Sequence, residues 1–394
     1  MNAAVRGPLV GIPLLEDLPP LDGKKVLVRV DFNVPLRHPG DGEEAVVEDD
    51  FRIRAALPTI EWLTSHGASV TTCTHLGRPK GKVDPRFDVA PVRACLAELA
   101  PNVALLDNLR FDPGEEANTL AFAEHLVDGF DCYVNDAFGA SHRAHASIVG
   151  PPAHLPSAAG LLLEREVEML GRLMVRPAKP FVAVVGGAKV ADKLGVLRAL
   201  LGRVDRLVVG GAMAYTFLAA LGHDTGTSLI DQAHKADCAA LLEEAGDRIV
   251  LPSDVVVLGP GGTIGDPGSG EVEVVGTDIP AGWEGVDMGP DTIRAFTAVI
   301  AGAGTVFWNG PVGAFEDPRF EVGTRAVADA VAACPGFTVA GGGDSVSAID
   351  HLGLAGRIGF VSTGGGASLE LIEHGDLPGL QALRGAPNAP ATRR

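Results

Sequence analysis

Residues 181–193 read FVAVVGGAKVADK, and no other stretch restricts the fold as much. The apolar run from Phe181 to Val185 has the length and composition of a buried strand, and two glycines follow it. Val190, Leu194, Leu197 and Leu201 then recur at helical spacing, which predicts a helix beginning directly after the glycines. Lys189 and Lys193, four residues apart, would stack on one flank of its first turns and lean back toward Gly186 and Gly187. Free N–H groups, the positive end of the helix dipole and two ammonium groups in one place suit a phosphate. The plainer alternative is a tight strand-to-helix turn with two solvated lysines. The segment is neither a Walker A loop nor GxGxxG. Recurrence of the pattern decides between the two readings.

Strand runs at 206–209, 249–251, 305–308, 337–340 and 359–362 follow. Their exits are Gly210-Gly211-Ala212, Pro252-Ser253-Asp254, Asn309-Gly310-Pro311, Gly341-Gly342-Gly343-Asp344-Ser345 and Thr363-Gly364-Gly365-Gly366. Glycine supplies 51 of 394 residues, well above the roughly 7% of average proteins, and without a collagen-like period it marks turns and close backbone approaches. Strand–glycine–helix junctions at 186, 341 and 364, gathered at one end of a sheet, make a surface of N–H donors suited to a polyphosphate. Asp344 is then an N-cap or a ligand of Mg²⁺. Glu316 accepts from ribose hydroxyls or faces water. The segments at 259–270 and 283–290 read as glycine-rich loop and turn.

The first half repeats the scheme with basic exits. A strand at 25–30 ends in Asp31-Phe32-Asn33, residues that form turns or contact a ligand. Later strands end in His75-Leu76-Gly77-Arg78, in Asn108-Leu109-Arg110 and in Asn135-Asp136, then His142-Arg143. Arg52 and Arg54 open a helix, where a cation opposes the dipole unless an anion meets it. In a parallel α/β sheet, ligands bind beyond the carboxyl ends of the strands. Arg52, His75, Arg78, Arg110 and Arg143 are therefore expected to converge on an anion, to which arginine forks are well matched. His142 and His145 have no third residue spaced to complete a zinc site.

The formal net charge of −18 disfavours nucleic acid as a partner. No apolar run reaches the ~18 residues of a membrane span. Five dispersed cysteines without a CxxC suggest reduced thiols and a cytoplasmic protein. The amphipathic helix at 161–176, followed by PAKP, is the expected domain boundary and hinge. The chain is expected to be α/β: two Rossmann-like domains with parallel sheets, one at 1–175 and the other at 176–374. Residues 385–394 read as a disordered tail.

RVDFNVP at 29–35, HLGRP at 75–79, NLRF at 108–111, VNDAFG with HRAH at 134–145, GGAKVADK at 186–193, WNGPVG with FE at 308–316, GGGDS at 341–345 and STGGGASLE at 362–370 together resemble the phosphoglycerate kinase family, in order, from about residue 14 to 384. The resemblance implies two domains facing a central cleft, with residues 375–394 returning to pack on the first. It implies reversible phosphoryl transfer from 1,3-bisphosphoglycerate to ADP, giving 3-phosphoglycerate and ATP, with Mg²⁺, in a monomer that bends at a hinge.

Carried over by position, Asp31, Phe32, Asn33, Arg52, His75, Leu76, Gly77, Arg78, Arg110 and Arg143 would meet the phosphoglycerate. Gly186, Ala188, Lys189, Lys193, Gly210, Gly211, Gly285, Asn309, Glu316, Gly342, Gly343, Asp344 and Ser345 would serve the nucleotide, Asp344 also the metal. Arg52, Lys193, Gly365 and Gly366 would act in the transfer itself. The chain departs from the family's usual pattern at Ser345, Ala212, Thr74 and Asp107, and in a longer loop at 37–49. A dehydrogenase-like dinucleotide binder would explain the glycines but not the basic exits. A non-catalytic anion-binding relative would not need Arg52, Lys193 and Asp344 together.

Overall fold

The computed structural model describes residues 7–37 and 45–390, so most of the long acidic loop at 37–49 lies outside the described residues. The chain divides into two compact units: residues 1–171 with 375–394, and residues 172–374.

The first unit is built from β1 (Lys25–Arg29), β2 (Leu36–Arg37), β3 (Val46–Val47), α1 (Phe51–Ser65), β4 (Ser69–Cys73), α2 (Ala90–Leu99), β5 (Ala104–Leu105), α3 (Pro113–Glu116), α4 (Leu120–Val127), β6 (Cys132–Asn135), α5 (Ala146–Val149), β7 (Ser157–Ala159) and α6 (Leu161–Val175). Its parallel sheet runs β5-β4-β1-β6-β7. The central strand β1 is covered on both sides, as a parallel sheet requires. Val26 and Val28 pack with Ile53, Ile60 and Leu63 of α1 and with Val92 and Leu96 of α2. Leu27, on the opposite face, packs with Cys73, Tyr133 and Leu126. Chain order reverses at β1, which pairs with β4 on one side and β6 on the other; such a reversal opens a crevice at the carboxyl ends.

A C-terminal helix, Pro378–Arg384, completes this unit. Its Gly379 N–H donates to the Ser141 carbonyl at 2.9 Å. The Arg384 guanidinium ties Asp376 to the carbonyl of Val10, at 2.7 and 3.0 Å. Of the tail expected to be disordered over 385–394, residues 385–390 are placed against this unit, and 391–394 lie outside the described residues. Ser157 lies on edge strand β7, and the Asn388 amide satisfies both its backbone groups, accepting from N–H at 2.8 Å and donating to C=O at 3.1 Å. A side-chain amide thus takes the place of a further strand, a role that nothing in the composition of the tail signals.

The second unit comprises β8 (Phe181–Val185), α7 (Leu194–Leu201), β9 (Arg206–Val209), α8 (Met213–Ala220), α9 (Lys235–Ala245), β10 (Ile249–Val250), β11 (Val255–Leu258), β12 (Val272–Val275), β13 (Glu284–Met288), α10 (Pro290–Ala301), β14 (Thr305–Asn309), α11 (Val322–Ala333), β15 (Phe337–Ala340), α12 (Gly343–His351), β16 (Phe360–Val361) and α13 (Gly366–His374). Its parallel sheet runs β10-β9-β8-β14-β15-β16 and reverses between β8 and β14. A small antiparallel sheet, β12-β11-β13, was not expected. The glycine-rich segment at 259–270 connects its β11 and β12, and the segment read as turn at 283–290 holds β13.

The start of α6 is fixed by a buried carboxylate. Asp136, at the exit of β6, accepts from the N–H groups of Leu162 and Leu163 at 3.0 and 3.3 Å through Oδ1. Its Oδ2 is buried without a hydrogen-bond partner among the described residues. Burial pushes the carboxyl up to about 7, against the pull of Thr59 and of those two N–H groups. With a folded-state pKa above the ordinary value, the folded chain holds a proton that the unfolded chain has released, so stability falls as pH rises from about 4 through about 7. Asp136→Asn should therefore flatten the decline of the urea midpoint between pH 5 and pH 8, a difference on the order of a few kcal/mol at most. An unchanged slope would show that Asp136 does not carry it.

Candidate active site

The exits of β1 and β4 and the first turn of α1 meet in the first unit. Asp31 Oδ2 accepts from Arg52 Nη1 at 2.8 Å. Burial pushes the Asp31 carboxyl up, but His75, Arg52 and Arg29 together hold it below the usual range, so it is charged at neutral pH. Asn33 Oδ1 accepts from Gly77 N–H at 2.9 Å, and Thr74 Oγ1 accepts from Phe32 N–H at 2.9 Å. Thr74, one of the departures, thus supplies the needed hydroxyl. Asn108 spans the same loop, accepting from Leu76 N–H at 3.2 Å and donating to Leu76 C=O at 2.7 Å. Asp31, Phe32, Asn33, His75, Leu76 and Gly77 are thus fixed by one another and by the strands beneath.

The basic groups around them are crowded. Arg110 is 3% exposed and donates to the Gly77 carbonyl at 2.7 Å. Burial, then repulsion from Arg143, push its guanidinium down to about 10. Arg143 Nε donates to His142 Nε2 at 3.1 Å. His75 is pushed well below its ordinary value, first by burial, then by Arg29, Arg110 and Arg143 against the pull of Asp31, so its ring is neutral at pH 7. Burial and Arg110 likewise push His145 down to about 4. Arg78, which the spacing placed with them, is exposed. Such a concentration of cations costs energy in the free protein and is relieved by an anion.

Arg29 was missed by sequence reasoning. It is fully buried at the end of β1, with Nη2 3.2 Å from His75 Nδ1. The available signal was an arginine inside an otherwise apolar strand.

In the second unit the opening segment folds differently from its periodicity. Residues 186–190 are loop, Ala191–Lys193 form a 3-10 turn and α7 starts at Leu194. Lys193 is the N-cap residue, with φ −125°. Lys189 and Ala188 are exposed, whereas Lys193 folds back so that Nζ donates to the Gly186 carbonyl at 2.6 Å. The two lysines therefore do not share a helical flank. Nor are the glycine N–H groups open: Gly186 donates to Asn309 C=O at 2.8 Å and Gly187 to Pro311 C=O at 2.9 Å. A side chain at Gly186 would overlap the Pro311 carbonyl, so the glycine serves close loop packing.

One pocket gathers Lys193, Asn309, Gly310, Gly342, Gly343, Asp344, Ser345, Gly365, Gly366 and Leu369 at the ends of β14, β15 and β16. Here α12 and α13 begin, and the leading N–H groups of a helix lack partners within it. Gly342 takes φ +97°, and any Cβ there would overlap the Asn309 amide. Asn309 donates to the Gly341 carbonyl at 2.6 Å while its own Oδ1 is buried and unpartnered among the described residues. The Ser345 hydroxyl donates to Gly341 C=O at 2.9 Å and accepts from Gly310 N–H at 2.6 Å, so it shapes the pocket wall. Burial pushes Lys193 down to about 8, against the pull of Asp344 and Asp192.

Other expected residues lie elsewhere. Glu316 is exposed and does not line this pocket. Gly210 packs on Val312, and Gly211 lies against Gly187. Gly285, in β13, faces Tyr215 and donates to Ser228 Oγ at 2.9 Å.

The phosphoglycerate kinase family model matches residues 15–103 and 99–375. The phosphoglycerate kinase of Roseiflexus castenholzii is 49% identical, over 92% of this chain and 97% of its own length. That of Rubrobacter xylanophilus is also 49% identical, over 92% and 96%. The solved phosphoglycerate kinase of Coxiella burnetii superposes with a TM-score of 0.85 at 36% identity, covering 94% of this chain and 98% of that one. Parallel sheets, a cationic cluster in one unit and a glycine-lined pocket in the other accompany this likeness, and the chain is an α/β kinase. The chain belongs to the phosphoglycerate kinase family, whose reaction is the reversible glycolytic transfer of a phosphoryl group between 1,3-bisphosphoglycerate and ADP.

Proposed function

We propose that the first unit binds the phosphoglycerate through Asp31, Asn33, Arg52, His75, Arg78, Arg110 and Arg143, and that the second binds the nucleotide in the pocket around Lys193. The observation that carries this reading is the pairing of a crowded cationic cluster with a pocket where two helices start. An acyl phosphate and a nucleotide are both anions, and each surface lowers its own electrostatic cost by binding one. Direct transfer needs no protein nucleophile, only in-line positioning and stabilised charge. Arg52 and Lys193 flank the moving group, and the N–H groups of Gly365 and Gly366 donate to it. The units close about α6 to bring the ligands together and exclude water.

Among the described residues, no group of three or more His, Cys, Asp or Glu side chains is placed to hold a metal alone. One exposed carboxylate, Asp344, lines the pocket beside Lys193. That donor set fits Mg²⁺ carried chiefly by phosphate oxygens. When bound, the ion neutralises charge on the nucleotide phosphates, and Asp344 would hold it. From the dispersed cysteines, all of them free thiols, we further infer a reducing cytoplasm, and from the membership of the family, a monomer.

The test is an assay of 3-phosphoglycerate with ATP and Mg²⁺, coupled to a reporter dehydrogenase that consumes the acyl phosphate. Turnover should be abolished by EDTA and restored by excess Mg²⁺. Turnover that survives chelation would overturn the metal assignment, and a folded but inert protein would overturn the catalytic one.

A further inference from the structure

Beneath the cationic cluster runs a buried chain of side chains that does not touch the transfer itself. Glu115, in α3, has a fully buried side chain. Its Oε2 accepts from the Ser147 N–H at 2.8 Å and its Oε1 from the Ser147 hydroxyl at 2.6 Å. That hydroxyl accepts from Arg29 Nε at 2.9 Å. Arg29 also donates through Nη1 to the Val30 carbonyl, and its Nη2 reaches His75 Nδ1 at 3.2 Å. From the other side, the Tyr133 hydroxyl donates to the Ser147 carbonyl at 2.7 Å.

Chemistry fixes the direction of every link. A guanidinium only donates, so Nδ1 of His75 must accept and the ring proton sits on Nε2. A competitor stands close by. Asp31 Oδ1 lies 4.0 Å from the same Nδ1 and is buried without a hydrogen-bond partner among the described residues. A proton on Nδ1 would be drawn to that oxygen. Arg29 and Asp31 therefore compete for one nitrogen, and Arg29 is the nearer. Arg29 holds that position because Ser147 and Glu115 grip its Nε edge. Without the grip, only the Nη1 bond to the Val30 carbonyl is left to hold the guanidinium, and it can pivot about that bond away from Nδ1.

We propose that Glu115 is a positioning residue: through Ser147 it anchors Arg29, which holds His75 in the tautomer carrying its proton on Nε2. The catalytic meaning of this tether rests on the assignment of His75 to the phosphoglycerate; the tautomer does not. A neutral ring with a fixed donor meets an anion without adding another desolvated positive charge to an already crowded cluster.

The experiment uses the full-length protein with ¹⁵N-labelled histidine. His75 is assigned by the signal missing from His75→Asn, and its tautomer is read from long-range ¹⁵N–¹H correlations. The wild type should show Nε2–H alone. Glu115→Gln and Ser147→Ala should both show protonation on Nδ1. Their KM for 3-phosphoglycerate should rise about tenfold, the worth of one hydrogen bond, with KM for ATP within about twofold on the same reasoning. Ser147→Ala leaves the carboxylate in place and gives the reading on its own if Glu115→Gln fails to fold. A folded variant of either kind that keeps the Nε2–H tautomer overturns the tether. A shifted tautomer with an unchanged KM supports the tether and overturns the ligand assignment of His75.

Discussion

Replacing Arg52 with alanine should lower kcat by roughly 10²–10³, the loss typical of removing one group that stabilises transition-state charge, while leaving KM for ADP within about twofold. Arg52 sits in the first turn of α1, where the helix dipole disfavours a cation. It is half-exposed and aimed by its 2.8 Å ion pair with Asp31. The bound phosphoglycerate already relieves part of that cost, and the charge that redistributes onto the equatorial oxygens of the moving group in the transition state strengthens the contact further. The effect therefore belongs in kcat. Arg52→Lys keeps the charge without the fork and should fall between wild type and alanine. Steady-state kinetics with both nucleotides, alongside direct ADP binding, decide the matter. Equal losses in kcat and in ADP affinity would assign Arg52 to general binding instead.

Lys193→Ala should be as damaging, with kcat/KM for ATP falling by about 10³, and should at the same time leave the ligand-free protein as stable as before or more so. Burial pushes the ammonium down to about 8. Below that pH the folded protein carries a desolvated charge at a cost as large as about 3 kcal/mol. Between about 8 and the ordinary lysine value, the unfolded chain binds a proton that the folded chain does not, so stability rises with pH there. Binding of a polyphosphate needs the charged form, so kcat/KM for the nucleotide should fall as pH rises past about 8. Activity and stability thus move oppositely along one titration, and both limbs should vanish in Lys193→Ala. A variant that keeps the activity limb would place the titration on another group.

The sheets were legible because their strands are short apolar runs cut off by glycine or polar residues. β8 and β15 begin and end where the pattern places them. The cationic cluster was legible because successive strand exits carry arginine or histidine. The conformation of residues 186–193 was not. A repeat of apolar residues says which side chains face inward, and Val190, Leu197 and Leu201 are indeed buried. It does not say where regular hydrogen bonding starts, and loop-to-loop bonds from Gly186 and Gly187 displaced the first turn of the helix. The antiparallel sheet escaped because Gly285 and Asp287 disguise β13 as a turn, although four of its five residues are buried. Arg29 escaped because a charged residue within an apolar run reads as noise until its partners, Ser147 and His75, are brought to it by the fold.

The first unit is discontinuous in sequence, since residues 375–394 belong with 1–171. During synthesis the second unit is therefore complete before the segment that finishes the first has been made. Until then Ser157 lacks the Asn388 amide, and the loop before Arg143 lacks its bond from Gly379. A nascent chain halted at residue 374 would carry a second unit with its glycine-lined pocket complete and a first unit with an open sheet edge. Protease sensitivity of such stalled chains should concentrate in β7 and the adjoining loop, and it should disappear when the remaining residues are supplied.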